Sequence, residues 1–306
     1  MASELQILIT ADAGTDHRCI AEAASLVEHL ERRWSRFLPD SDITRLNNAA
    51  GAATDVDGST ITLLATMVEG WETTDGVFDP SILSALCAAG YGQRINDDRR
   101  VTLLPDGSVH VGGLDVTPSP GDIEIDLARS VVRLPPGLAL DPGGIGKGLA
   151  ADLAVGLLIE RGATGALVSI GGDNAVRGVP PHDADDWVIT VENPLDGGPS
   201  RTIAFGAGGV ATSSTRSRRW RTSDGEHHHV IDPLTQAPST TDLAAVSVIA
   251  RSGWLAEVHA TAALLAGSHS VVEHLDRHDL SGLAIGLDGA VAATADLRTC
   301  ATEETR

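Results

Sequence analysis

Apolar residues along this 306-residue chain recur at two periods, interleaved without a regular rhythm. Leu5 to Thr10 alternates as a strand does. Ile20, Ala23, Ala24, Val27 and Leu30 recur at the spacing of one helix face, which predicts a helix from Asp16 to Trp34. Ser41 offers an N-cap to a short helix through Leu46, and Ser59 to Trp71 reads as a longer helix that Asp75-Gly76 ends. Strands are expected near Ile123 to Ile125 and Val131 to Leu134, before a glycine-rich turn opens a helix from Gly148 to Leu158. Strands follow at 166–170, 187–191, 202–205, 209–213 and 246–250, then a helix from Trp254 to Leu265 and a hairpin turning at Asp288-Gly289. Residues 96–121 are polar and turn-rich, which reads as a hairpin excursion within one domain spanning 1–306. Strands and helices mixed in this irregular order predict an α+β fold with antiparallel sheets and packed helices, not a doubly wound sheet.

Composition narrows the partners. With 42% hydrophobic residues there is ample core material, despite only 3% aromatics. The net charge of −20 makes nucleic acid and anionic membrane poor partners. A phosphate ligand would have to approach against that acidic field, so a divalent cation and a local arginine cluster are both expected. Arg216, Arg218, Arg219 and Arg221 supply such a cluster, or equally a solvated loop paired with carboxylates. Three scattered cysteines argue for a reducing compartment. Met1-Ala2-Ser3-Glu4 precedes no apolar run of signal length, and no segment is long enough to span a membrane; a cytoplasmic protein is the expectation.

Lys147 is the only lysine among 22 basic residues, and it lies in Leu140-Asp141-Pro142-Gly143-Gly144-Ile145-Gly146-Lys147-Gly148. Amides at a helix start suit an anion, and an adjacent ammonium adds a compact charge; a tight turn with a solvated lysine is the plain alternative. The loop is not a P-loop. Asp141 stands where that motif needs its first glycine, and Gly148 where it needs a hydroxyl.

Four more elements accompany the lysine loop: Trp34-Ser35-Arg36-Phe37 through Asn47; Thr74-Asp75-Gly76-Val77-Phe78-Asp79-Pro80-Ser81; Ser169-Ile170-Gly171-Gly172-Asp173; and Val210-Ala211-Thr212-Ser213-Ser214 leading to His229-Val230-Ile231-Asp232-Pro233 and Ala256-Glu257-Val258-His259-Ala260-Thr261. In this order and spacing, from about Ala23 to Thr294, the chain resembles the flavin transferases of the ApbE type, FAD:protein FMN transferases.

The resemblance implies an ApbE-like, T-fold-related architecture. It also implies a Mg²⁺-dependent transfer of FMN from FAD to a threonine of an acceptor flavoprotein, with release of AMP. Cleavage of FAD to FMN and AMP, or flavin binding without turnover, are the alternatives. Implied metal donors are the Gly144 carbonyl, the Glu257 carboxylate and the Thr261 hydroxyl, all hard oxygens suited to Mg²⁺. Implied flavin-nucleotide contacts are Phe37, Val77, Phe78, Asp79, Asp141, Lys147 and Ile231. His229, last of the run His227-His228-His229, is the candidate base for the threonine proton. The run itself could instead suggest a transition-metal site or a polar loop, although neighbours in an extended chain face opposite ways. Asp232 is expected to shape the turn before Pro233. Three positions depart from the family pattern: Glu257 replaces an aspartate, Phe37 a tyrosine, and Ser214 a glycine.

Overall fold

A computed structural model describes residues 4–12, 17–94, 97–102, 118–195, 198–223 and 225–300. Asp16, the expected start of the first helix, and most of the excursion at 96–121 lie outside them. Six α-helices occur among the described residues: α1 (Arg18–Trp34), α2 (Asp42–Asn48), α3 (Gly58–Thr73), α4 (Leu83–Ala88), α5 (Gly146–Glu160) and α6 (Gly253–Arg277). The chain divides into two compact units. One comprises Met1–Glu28, Lys147–Ser217 and Thr240–Arg306; the other comprises His29–Gly146 and Arg218–Ser239.

The first unit is built on a seven-stranded antiparallel sheet. Its strands run in the spatial order Leu5–Thr10, Gly165–Ile170, Asp173–Gly178, Gly208–Ser214, Leu243–Ala250, Ser281–Gly286 and Val291–Ala293. A second sheet joins Trp187–Val191, Arg201–Phe205 and Thr299–Cys300. Val176, Trp187, Ile203, Phe205, Val210, Leu283 and Ile285 form one buried cluster drawn from both sheets. Strand alternation turns Ser213 to the face opposite Val210, where α6 packs.

Helices α5 and α6 start against each other with no room for side chains. A Cβ on Gly148 would stand 2.3 Å from the Gly253 carbonyl oxygen, and one on Gly209 would stand 2.4 Å from the Gly253 Cα. Three glycines therefore let two helix starts and a strand meet backbone to backbone. The Asp152 carboxylate caps α6, accepting from the amides of Gly253 (2.8 Å) and Trp254 (3.0 Å).

The predicted helix from Trp254 to Leu265 runs on to Arg277 after a break at Gly267, whose φ of 74° and ψ of 171° are not helical. The break has its own clamp. Asp242 accepts from the Ser268 amide (2.9 Å) and hydroxyl (2.5 Å), and the Thr241 hydroxyl donates to the Leu264 carbonyl (2.8 Å).

The second unit carries α2 to α4 and short antiparallel ladders, among them Thr54–Asp55, Val131–Arg133 and Glu124–Asp126. Ser41 caps α2, accepting from the Thr44 amide at 3.0 Å, as its sequence predicts. The fully buried Asp42 carboxylate accepts from the Asp57 amide and the Thr60 hydroxyl, both at 2.8 Å. That ties α2 to the start of α3. Among the described residues no helix is long and apolar enough to cross a membrane.

Candidate functional site

In the first unit, Lys147 at the start of α5 meets two carboxylates. Its Nζ donates to Asp173, and to Glu257 Oε1 at 2.6 Å, while the Gly148 amide donates to Glu257 Oε2 at 2.8 Å. The side chains of Asp173 and Glu257 are each 4% exposed and that of Lys147 is 14% exposed, so solvent screens these charges little. Asp173 is aimed by the turn Gly171-Gly172, both with positive φ, and also accepts from the Thr212 amide at 3.2 Å. The anion held at this helix start is thus internal: Glu257 sits where the sequence leaves room for a phosphate.

One helical turn along α6, Thr261 shares the face of Glu257. Its hydroxyl lies 2.9 Å from Ser213 Oγ and donates to the Glu257 backbone carbonyl at 3.2 Å. Two carboxylates against one ammonium leave the cluster one negative charge, and each carboxylate oxygen keeps a free lone pair beside its one bond. Hard oxygens with a residual negative charge fit a Mg²⁺ ion and do not fit a thiophilic metal. Asp152 lies behind this cluster. Burial, opposed by its two amide donors, pushes its carboxyl up to about 6.

The other candidate residues belong to the second unit. Asp141 begins the glycine-rich turn, accepting from Gly143 N at 3.2 Å and pairing with Arg36 Nε at 3.2 Å. Arg36 is 3% exposed; its guanidinium also reaches Thr102 Oγ1 and lies over the rings of Phe37 (4.1 Å) and Tyr91 (4.8 Å). Tyr91 in turn stacks on Trp220 with centroids 5.1 Å apart and planes 14° apart, and Phe37 meets Tyr91 edge-on at 6.2 Å. In a chain this poor in aromatics, a half-exposed ladder of three is a concentrated planar surface.

Backbone bonds assemble the turn around Asp141. Asn47, which ends the first motif, donates to the Leu140 carbonyl (2.9 Å) and accepts from the Leu140 amide (2.8 Å). The Asp141 amide donates to the Pro80 carbonyl at 2.8 Å, so the Val77-Phe78-Asp79 segment and the glycine-rich turn are held side by side. Phe78 is buried. Asp79 is occupied by the Ser81 amide (2.7 Å) and hydroxyl (2.6 Å), and Val77 is half-buried. Gly144 ends a 3-10 turn that Asp141 caps.

His229 is half-buried just beyond the strand Gly225–His228, and Ile231 packs against Ala85 and Leu86. The three consecutive histidines diverge. His227 bonds Thr222 Oγ1 at 2.8 Å, and His228 bonds the Ser239 carbonyl at 3.1 Å. Asp232 accepts from the Leu234 amide at 2.8 Å and so shapes the turn at Pro233. Arg219 pairs with Glu226 at 2.6 Å, whereas Arg216 and Arg221 are exposed.

Lys147, Glu257 and Thr261 therefore lie in the first unit; Phe37, Val77, Phe78, Asp79, Asp141, Gly144, His229 and Ile231 lie in the second. Asp173 and Arg36 belong to recognised motifs, but the sequence reading gives neither a role. A buried aspartate following a double glycine is the available signal for the first. Nothing local marks the second.

A model of the ApbE family matches residues 1–284. A FAD:protein FMN transferase of Treponema pallidum is 28% identical over 272 residues, which are 82% of this chain and 72% of the relative. One from Rhodobacter capsulatus is 27% identical over 278 residues, 88% of this chain but only 50% of the relative. Among solved structures, the ApbE protein of Thermotoga maritima superposes with a TM-score of 0.80 at 22% identity, covering 96% of this chain and 94% of that one. The apo flavinyl transferase ApbE of Pseudomonas stutzeri gives 0.76 at 21%, covering 95% and 91%. At these identities the superpositions establish the fold.

Proposed function

The chain belongs to the ApbE family, and from that premise we propose that it is a transferase that moves FMN from FAD to a threonine hydroxyl of an acceptor flavoprotein. The supporting observation is the pair Glu257 and Thr261, aligned on one face of α6 beside Asp173 and Lys147 with one net negative charge. Glu257 and Thr261 are the residues that would hold a Mg²⁺ ion in this unit. When bound, it supplies the neutralisation of pyrophosphate charge that phosphoryl transfer requires.

The chain's own groups do the rest. Arg36, fixed by Asp141, lies over one face of the Phe37 ring and holds it in place, and an isoalloxazine ring would stack on the other face. His229 takes the proton of the attacking threonine. The threonine oxygen bonds to the FMN phosphorus, the bond from that phosphorus to the bridging oxygen breaks, and AMP leaves.

A second reading, a flavin carrier without turnover, draws on a different observation: Lys147 and the Gly148 amide already engage both Glu257 oxygens. One experiment separates the two. The purified protein is mixed with FAD and Mg²⁺, with and without EDTA, beside a flavoprotein bearing a candidate threonine, and AMP and FMN are followed by chromatography. EDTA-sensitive AMP formation supports the transferase. FAD retained with no AMP, across acceptors, supports the carrier and sinks the transferase.

A further inference from the structure

Three histidines that the flavin chemistry does not use converge where the two halves of α6 meet. Nδ1 of His259 lies 3.2 Å from Nε2 of His274, and one nitrogen from each of His259, His274 and His278 falls within 4.8 Å of the others. The rings are 5.4, 4.7 and 4.7 Å apart, centroid to centroid. His259 is buried; His274 and His278 are half-buried. Among the described residues this is the one group of three histidine, cysteine or acidic side chains placed to share an ion.

The convergence is a product of the fold. Fifteen residues of straight helix would separate His259 and His274 by about 22 Å. The break at Gly267, clamped by Thr241 and Asp242, turns the second half of α6 back on the first. His274 and His278 are four residues apart and share a face, the spacing at which two imidazoles on one helix can bind a single metal. His259 is two residues from both Glu257 and Thr261, a rotation of about 200° along the helix, so it faces away from them. The histidines therefore form a separate site.

We propose that His259, His274 and His278 form a binding site for a first-row transition-metal dication, zinc foremost, that pins the two halves of α6 together. Two nitrogens at the usual zinc distance of about 2.0–2.1 Å, in tetrahedral arrangement, stand about 3.3 Å apart, close to the separation of His259 and His274. Three neutral imidazoles select zinc, copper or nickel over Mg²⁺. The charge of Arg277 near His274 is met by Glu273 at 2.7 Å.

The test uses the full chain stripped with a chelator, dialysed against Zn²⁺ in excess Mg²⁺, and measured for bound zinc. Wild type is expected to retain one equivalent more than His274→Ala and His278→Ala, with a zinc-dependent rise in melting temperature of a few degrees that both variants lose. Cobalt(II) added to the unaltered protein is expected to give the intense visible absorption of a tetrahedral site, a readout that needs no variant to fold. Equal zinc in wild type and variants would place any binding elsewhere, for instance on His227 to His229, and overturn the proposal. So would a cobalt spectrum indistinguishable from the aqueous ion, which would leave the cluster a hydrogen-bonded trio. Neither readout depends on flavin transfer.

Discussion

Glu257 carries the sharpest quantitative consequence of this structure. Its carboxylate bonds Lys147 and the Gly148 amide at once, one oxygen to each. Glu257→Gln keeps the side-chain shape and one acceptor for Gly148, but removes the charge facing Lys147. Lys147 retains Asp173, so the loss is one charge-assisted bond in a poorly solvated setting, about 2 kcal/mol. Glu257→Ala also orphans the buried Gly148 amide and leaves a cavity, bringing the loss to about 4 kcal/mol. Urea unfolding at pH 7 should therefore rank wild type above Gln and Gln above Ala; at about 2 °C per kcal/mol, the Gln variant melts about 4 °C lower. A Gln variant as stable as wild type would refute the reasoning. It would mean that repulsion between Glu257 and Asp173 cancels the attraction of Lys147, and that the charge of Glu257 adds nothing net to the cluster.

Three further outcomes test the frame around the site. Gly148→Ala drives a methyl into the Gly253 backbone, at 2.3 Å from its oxygen, and should cost about 3 kcal/mol in denaturant unfolding. Gly156→Ala, on the same helix with nothing within 4 Å, should instead gain about 0.5–1 kcal/mol. Asn47→Ala leaves both backbone groups of the fully buried Leu140 unpaired and should cost about 2–4 kcal/mol; Asn47→Asp, which keeps the acceptor but sets a buried carboxylate oxygen against the Leu140 carbonyl, should cost at least as much. Asp152 titrates near 6 in the folded chain against 3.8 unfolded, so the fold favours its protonated form. Its contribution is fullest below about pH 3.8 and is lost as pH rises through 6, a total of about 3 kcal/mol. The stability difference between wild type and Asp152→Asn should shrink by most of that amount from pH 4 to pH 7, and parallel curves would show that the carboxyl is not raised.

Local chemistry makes much of this protein legible in its sequence. Period-two and helical patterns locate the strands at Leu5–Thr10 and Trp187–Val191 with the observed bounds. Ser41 announces its own cap, and interspersed elements without a βαβ rhythm point to the α+β class, because each of these depends on residues close in sequence. The family follows from the order of short motifs. The second half of α6 escapes the pattern, since Gly267 looks like a helix stop and is instead a bend that Thr241 and Asp242 clamp from a distant strand.

What only the tertiary structure decides is which side chains meet. Lys147 and Glu257 are 110 residues apart, and Asn47 and Leu140 are 93 apart. No periodicity couples such positions; the close approach of Gly148 to Gly253 does so in the first case, and backbone pairing in the second. The sequence names Lys147 as unusual, but a lone lysine beside a helix start looks the same whether it awaits an external phosphate or is held by Asp173 and Glu257. The histidine trio shows the same limit. His274 and His278 are visible as a four-residue pair, yet their third member lies 15 residues upstream of His274, and only a reversal of the helix at one glycine brings it within reach.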